Sequence, residues 1–260
     1  MDTARTILIT GASGNLGSKL RQHLHGRYPL RLLDLHAKGD PEILQADLSR
    51  WDATWVEAFH GVHTVVHLAA DPTATQTWEK LIGPNLDAVI MVFTAAVQAG
   101  VTRLIYASSN HAMGGYRDVP EVANITADLP PLPGTRYERN GAPLNSTAYG
   151  AAKLFGERLG KCYADMYGLS VIAVRIGWVQ EGDNRPATLP TDRDRWFRQM
   201  WLSNRDFCQL MERCIEADAT LRFAVVNGMS ANTGMRWDIE HTRTLLGYEP
   251  QDDVTRGSPI

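Results

Sequence analysis

Short continuous apolar runs, each followed by a stretch of helical periodicity, recur from Thr6 to Ile176. This alternation restricts the chain to a parallel sheet covered by helices on both faces. Thr6–Thr10, Leu30–Leu33, Val62–Leu68, Arg103–Ala107 and Ser170–Ile176 read as strands, and Asn15–His25, Leu86–Gln98 and Ala148–Tyr167 as helices. The fold class expected is α/β, a doubly wound parallel sheet of Rossmann type over residues 1–176. Residues 177–260 are expected to form a small C-terminal substrate cap and not an independent domain. That cap would use Asp206–Ala217 as a helix, Leu221–Val226 as a strand and Trp237–Leu246 as a helix stopped by Gly247. Two aperiodic stretches would complete it. One is Asp118–Ser146, with Pro120, Pro130, Pro131, Pro133 and Pro143; the other is Gln180–Arg198, with four arginines. Neither reads as core, and loops of this length are lids, binding loops or disordered linkers.

A net charge of -3 over 260 residues, with no basic run, gives no attraction for nucleic acid or anionic lipid. The expected partner is therefore a small molecule. The N-terminal residues run straight into a strand, and nowhere do about 18 apolar residues follow one another. A soluble, cytoplasmic protein without a membrane partner is expected. Cys162, Cys208 and Cys214 are odd in number and lack metal-ligand spacing, so they read as buried or inert thiols, with no disulfide and no metal.

The first strand ends in Gly11-Ala12-Ser13-Gly14-Asn15-Leu16-Gly17 and opens the first helix. Backbone N–H groups at such a helix start can receive a pyrophosphate. Asp34, ending the second strand, stands where a carboxylate accepts adenosine ribose hydroxyls and repels a 2′-phosphate, which favours NAD over NADP. Asp47-Leu48 either embraces the adenine or supplies a helix N-cap near Trp51. After His67, which reads as a core histidine, Leu68, Ala69 and Ala70 let a dinucleotide pass close to the backbone.

Tyr149 and Lys153 lie four apart on the long helix and so share a face. A nearby ammonium favours phenolate, so Tyr149 is expected to serve as a base near neutral pH. Ser109 leaves its strand on the carboxyl edge of the sheet, where it can hold a substrate hydroxyl against Tyr149. Asn110 and His111 lie beside it; His111 is either a sugar contact or an anchor for Met113-Gly114-Gly115.

In this order the residues resemble the extended short-chain dehydrogenase/reductases, whose dinucleotide site and Ser–Tyr–Lys triad match the glycine turn, Asp34, Ser109, Tyr149 and Lys153. Within that family the chain looks most like uronate dehydrogenases and related NAD-linked sugar 1-dehydrogenases. The likeness rests on 107–111, Val174-Arg175-Ile176-Gly177, 202–207 and Ser230-Ala231-Asn232. It implies oxidation of a cyclic sugar at its anomeric carbon to a lactone, with NAD as acceptor, in a homo-oligomer. The cofactor contacts expected are Gly11, Ser13, Gly14, Asn15, Leu16, Gly17, Asp34, Asp47, Leu48, Leu68, Ala69, Ala70, Tyr149, Lys153 and Ile176.

Two positions depart from the uronate pattern. Trp178 follows Arg-Ile-Gly, and Pro72 stands beyond Ala69; both replace serines. Sulfoquinovose 1-dehydrogenases resemble uronate dehydrogenases in fold and chemistry, and a sulfonate suits guanidinium and indole donors. Arg193, Arg195, Arg198, Trp196 and Trp178 are the candidates to bind it, the alternative being that the arginines form a solvated loop. A C6-anionic aldohexose is thus the expected substrate, sulfoquinovose first and uronate second. A sugar-nucleotide epimerase or dehydratase is a further alternative, and a non-catalytic NAD-sensing regulator is a third class.

Overall fold

In the computed structural model, residues 5–139, 141–190 and 194–256 are described. Seven parallel strands form one sheet: β1 (Ile7–Thr10), β2 (Leu30–Asp34), β3 (Ile43–Gln45), β4 (Thr64–His67), β5 (Arg103–Ser109), β8 (Ser170–Ile176) and β9 (Phe223–Gly228), in the order β3-β2-β1-β4-β5-β8-β9. The chain winds outward from β1 in one direction, then crosses to β4 and continues in the other. A crevice therefore opens beyond the carboxyl ends of β1 and β4.

Strand side chains alternate between the two faces. Ile7 and Ile9 join Leu20 of α1 (Asn15–Leu24) and Phe207, Leu210 and Met211 of α7 (Asn204–Glu216). Leu8, between them, joins Trp55 of α2 (Ala53–Glu57) and Val89, Val92 and Phe93 of α4 (Ala88–Gln98) on the other face. The long helix α5 (Thr147–Tyr167) covers β5 and β8 on that second face. Residues 78–98 are long and apolar enough to cross a bilayer, yet Leu81, Val89, Val92 and Phe93 face the core.

Four expectations are corrected. Phe223–Gly228 does not belong to a cap; it pairs with β8, Val171 opposite Phe223 through Ile176 opposite Gly228, and α7 packs against α1. The sheet layer therefore extends past residue 176. The proline-rich stretch contains a hairpin, β6 (Arg136–Arg139) and β7 (Ala142–Asn145). The aperiodic stretches also contribute to a third apolar cluster, where Ile125, Trp196 and Phe197, the last two on α6 (Arg195–Gln199), pack with Trp237 ahead of α8 (Glu240–Leu246). Finally, the expected helix Leu86–Gln98 begins earlier, as α3 (Trp78–Leu81) followed by a π-helical turn, Ile82–Asp87. Pro84 has no N–H for the carbonyl one turn back, which explains why the α-helical ladder is interrupted there.

Candidate active site

A cleft of about 1000 Å³ runs along the carboxyl edge of the sheet. At one end lies the glycine turn. A Cβ on Gly17 would sit 2.0 Å from the Gly11 carbonyl oxygen, so only glycine allows the first turn of α1 to close against the exit of β1. Gly14 is the N-cap and supplies no side-chain acceptor, and the first turn holds no acidic residue. The N–H groups and the positive end of α1 therefore remain available to an anion. Asp34 accepts from the N–H groups of Ser13 (2.9 Å) and His36 (3.0 Å), which fixes its carboxylate at the rim.

Ser13, Asn15, Leu16, Asp47, Leu48, Leu68, Ala69, Ala70 and Ile176 also line the cleft, as expected of a dinucleotide groove. Asp47 accepts from the Ser49 N–H and hydroxyl, and the N-cap beyond Trp51 is Asp52, which accepts from the Thr54 N–H at 2.7 Å. The capping alternative for Asp47 is thereby set aside. His67 is a core residue, its Nδ1 2.8 Å from the Thr10 hydroxyl and its imidazole pushed down to about 3 by burial and then by the Lys153 charge. Lys38, which the sequence reading passed over, lines the adenosine end and donates to the Ser13 carbonyl at 2.9 Å.

At the other end, α5 brings Tyr149 and Lys153 into the cleft, both buried. Close approach makes this possible: a Cβ on Gly150 would meet the His111 carbonyl oxygen at 2.3 Å. Ser109 hydrogen-bonds the Tyr149 phenol and accepts from the His111 N–H at 3.2 Å. The Lys153 ammonium donates to the Ala107 carbonyl at 2.9 Å and lies 5.6 Å from the Tyr149 ring centroid.

The electrostatics correct the expectation of a lowered phenol pKa. Burial pushes Tyr149 up to about 12; the Ser109 hydrogen bond opposes this and the Asp71 charge adds to it. Burial also pushes Lys153 down to about 8. At these buried positions, desolvation of the charged form outweighs the pairwise effect inferred from spacing.

Around these groups, Asn110 donates to the Ile176 carbonyl at 3.1 Å, while its buried Oδ1 has no hydrogen-bond partner among the described residues. His111 Nδ1 is 2.6 Å from the Ser146 hydroxyl, and its ring stands edge-on to Tyr149 at 5.6 Å, so it is anchored and also lines the cleft. Trp178, Phe197 and Met200 form an apolar wall. The arginine cluster is not brought together there. Arg193 lies outside the described residues, and Arg195 (exposed) and Arg198 (half-buried) do not line the cleft. Among the described residues, the charged groups that line this end are Asp71, Glu181 and Lys153. Only the position of Asp71 just beyond the β4 exit could have singled it out from sequence.

Cys208 and Cys214 are buried, with thiols pushed up by burial to about 11 and about 12, whereas Cys162 is exposed. No His, Cys, Asp and Glu cluster suited to a metal occurs among the described residues.

Residues 7–200 match the NAD dependent epimerase/dehydratase family. An NAD-dependent glucose-6-phosphate dehydrogenase of Haloferax volcanii is 37% identical over 258 residues, covering 95% of this chain and 93% of that protein. A uronate dehydrogenase of Pseudomonas putida is 33% identical over 254 residues, covering 95% of this chain and 84% of that protein. A solved uronate dehydrogenase of Agrobacterium tumefaciens, a mutant complexed with NAD, is similar in structure with a TM-score of 0.77 at 31% identity, covering 98% of this chain and 91% of the other.

Proposed function

The chain belongs to the NAD dependent epimerase/dehydratase family, and we propose that Tyr149, Lys153 and Ser109 carry out the anomeric oxidation of an aldose in it. It is an NAD-dependent sugar dehydrogenase. The observation that carries the assignment of the triad is the convergence of Ser109, Tyr149 and Lys153 in the cleft that also contains the glycine turn and Asp34.

The glycine turn fits a pyrophosphate and Asp34 fits a ribose diol, so the residues present suit NAD. When bound, oxidised NAD would supply the acceptor for the C1 hydride and a positive ring that favours the phenolate of Tyr149. The Tyr149 phenolate takes the proton of the anomeric hydroxyl as the C1–H bond breaks, leaving the lactone. Ser109 holds the reacting oxygen, and Lys153 holds the ribose and stabilises negative charge on Tyr149. Asn110 Oδ1 and His111 orient neighbouring hydroxyls, while Trp178, Phe197 and Met200 exclude water.

For the substrate, we place a C6-anionic aldohexose first, sulfoquinovose ahead of the uronates. One observation supports this class: the relatives above are named for glucose 6-phosphate and uronate, both anionic at C6. In this reading Arg193, which lies outside the described residues, is the remaining candidate to bind the anion. The experiment follows NADH absorbance with sulfoquinovose, glucuronate, galacturonate, glucose 6-phosphate and glucose. An anionic sugar is expected to give the highest kcat/KM. Equal turnover of glucose overturns the anion, and no turnover of any sugar overturns anomeric oxidation.

A further inference from the structure

β4 and β5 are neighbours in register, His67 opposite Tyr106. Four residues beyond that rung the first strand delivers Asp71 and the second delivers Asn110, and both side chains line the cleft with Tyr149. The main chain of Asp71 is gripped on both sides by one buried amide. Asn85 Oδ1 accepts the Asp71 N–H at 2.9 Å, and Asn85 Nδ2 donates to the Asp71 carbonyl at 3.1 Å.

Asn85 reaches this position from the π-helical turn Ile82–Asp87, whose Pro84 also lines the cleft. Turns of this kind concentrate at functional sites, because the widened ring re-aims one side chain. The Asp71 carboxylate accepts from the Thr73 N–H at 2.9 Å and the Gln76 amide at 3.1 Å. With the Thr73 hydroxyl also bonded to it, three of its roughly four lone-pair sites are used, leaving one acceptor site on a half-buried group.

We propose that Asp71 is a substrate-contacting, specificity-determining residue: its carboxylate accepts a hydrogen bond from a ring hydroxyl of the bound aldose. The assignment rests on the anomeric-oxidation reading above and names one contact of that site. A carboxylate preset in this way prefers a hydroxyl donor to a deoxy carbon, since a sugar lacking the hydroxyl leaves the charge partly desolvated and unpaired. It also places any C6 anion away from the β4 exit, because two like charges would repel.

The charge acts on the base as well. Groups around the Tyr149 phenol are Ser109 and the buried Tyr106 from β5, His111 from the turn beyond it, Lys153 from its own helix, Asp71 from the β4 exit and, on the same cleft, Glu181. Removing the negative charge at Asp71 lets the phenol ionise at lower pH.

The test is Asp71→Asn, with Asp71→Glu as a second variant that keeps the charge and displaces it. NAD binding, followed by calorimetry, should stay within about twofold of wild type in both and shows that each folds. With whichever of sulfoquinovose, glucuronate or glucose 6-phosphate the wild type oxidises best, KM should rise about tenfold in both variants. The acid limb of kcat/KM should move to lower pH by about half a unit in Asp71→Asn and stay in place in Asp71→Glu. An unchanged KM, or a raised KM with an unmoved limb in Asp71→Asn, overturns the assignment. Wild type inert toward every sugar condemns the anomeric-oxidation reading itself and takes the Asp71 contact with it, which separates the two failures.

Discussion

Glu157 and Arg175 meet in a two-pronged ion pair, Oε1 to Nε and Oε2 to a terminal guanidinium nitrogen at 2.9 Å each, with side chains 4% and 3% exposed. The same Oε1 accepts from the Ser108 hydroxyl at 2.6 Å, one residue before Ser109, and Arg175 donates onward to the Ala127 carbonyl at 3.2 Å. One turn of α5 beyond Lys153, the carboxylate thereby ties helix, two strands and the proline-rich stretch together beneath the catalytic groups.

Glu157→Gln leaves the Arg175 charge buried without its partner. A loss of about 3–5 kcal/mol is expected, since removing one member of a buried pair exposes the desolvation cost of the other. For a domain of this size that is a fall in Tm of about 10 °C, read by thermal unfolding. Replacing both residues by apolar side chains of similar volume should recover most of it.

Gly17→Ala forces a methyl to within 2.0 Å of the Gly11 carbonyl oxygen. The turn must open, and the N–H groups of α1 lose their alignment. NAD affinity measured by calorimetry is expected to fall about tenfold or more, with the sheet retained by circular dichroism.

Tyr149→Phe removes the proton acceptor and keeps the ring that packs against His111. NAD affinity should change little and kcat should fall by about a thousandfold, within the range for loss of a positioned general base. Residual activity above about a tenth of wild type would exclude Tyr149 as the base.

Lys153→Met separates stability from activity. The folded-state pKa of about 8 lies below the usual lysine value of 10.5, so below about pH 8 the native state bears the cost of a buried ammonium. As pH rises from about 8 toward 10.5, the native state binds fewer protons than the unfolded chain and wild type gains stability. The Met variant loses the bond to the Ala107 carbonyl but no longer buries the charge. Near pH 7 its Tm should exceed that of wild type by about 2–4 °C with activity abolished, and the gap should shrink toward about pH 10.

Strand-helix alternation, the glycine turn and the helical spacing of Tyr149 and Lys153 are local properties, so the doubly wound sheet and the cofactor groove were legible from the residues alone. Beyond Ile176 the elements were legible, but the place of the strand was not, for a physical reason. Phe223–Gly228 is a short apolar run whose periodicity says strand but not which edge it joins; pairing with β8 decides that.

Spacing established that Tyr149 and Lys153 share a face, and chemistry implied that an ammonium favours phenolate. Burial reversed the sign, because desolvation depends on everything packed around a group, and that is set by distant segments. Arg195 and Arg198 follow the same logic: the clustering of arginines in sequence suggested an anion site, but helix α6 turns Trp196 and Phe197 inward, leaving these two off the cleft lining. Asp71 was ordinary in sequence. Asn85, fourteen residues on and rotated into place by a proline-interrupted helix, makes it a fixed acceptor beside the base. Local pattern determined which chemistry the chain can hold, and three-dimensional packing decided the charge environment in which it operates.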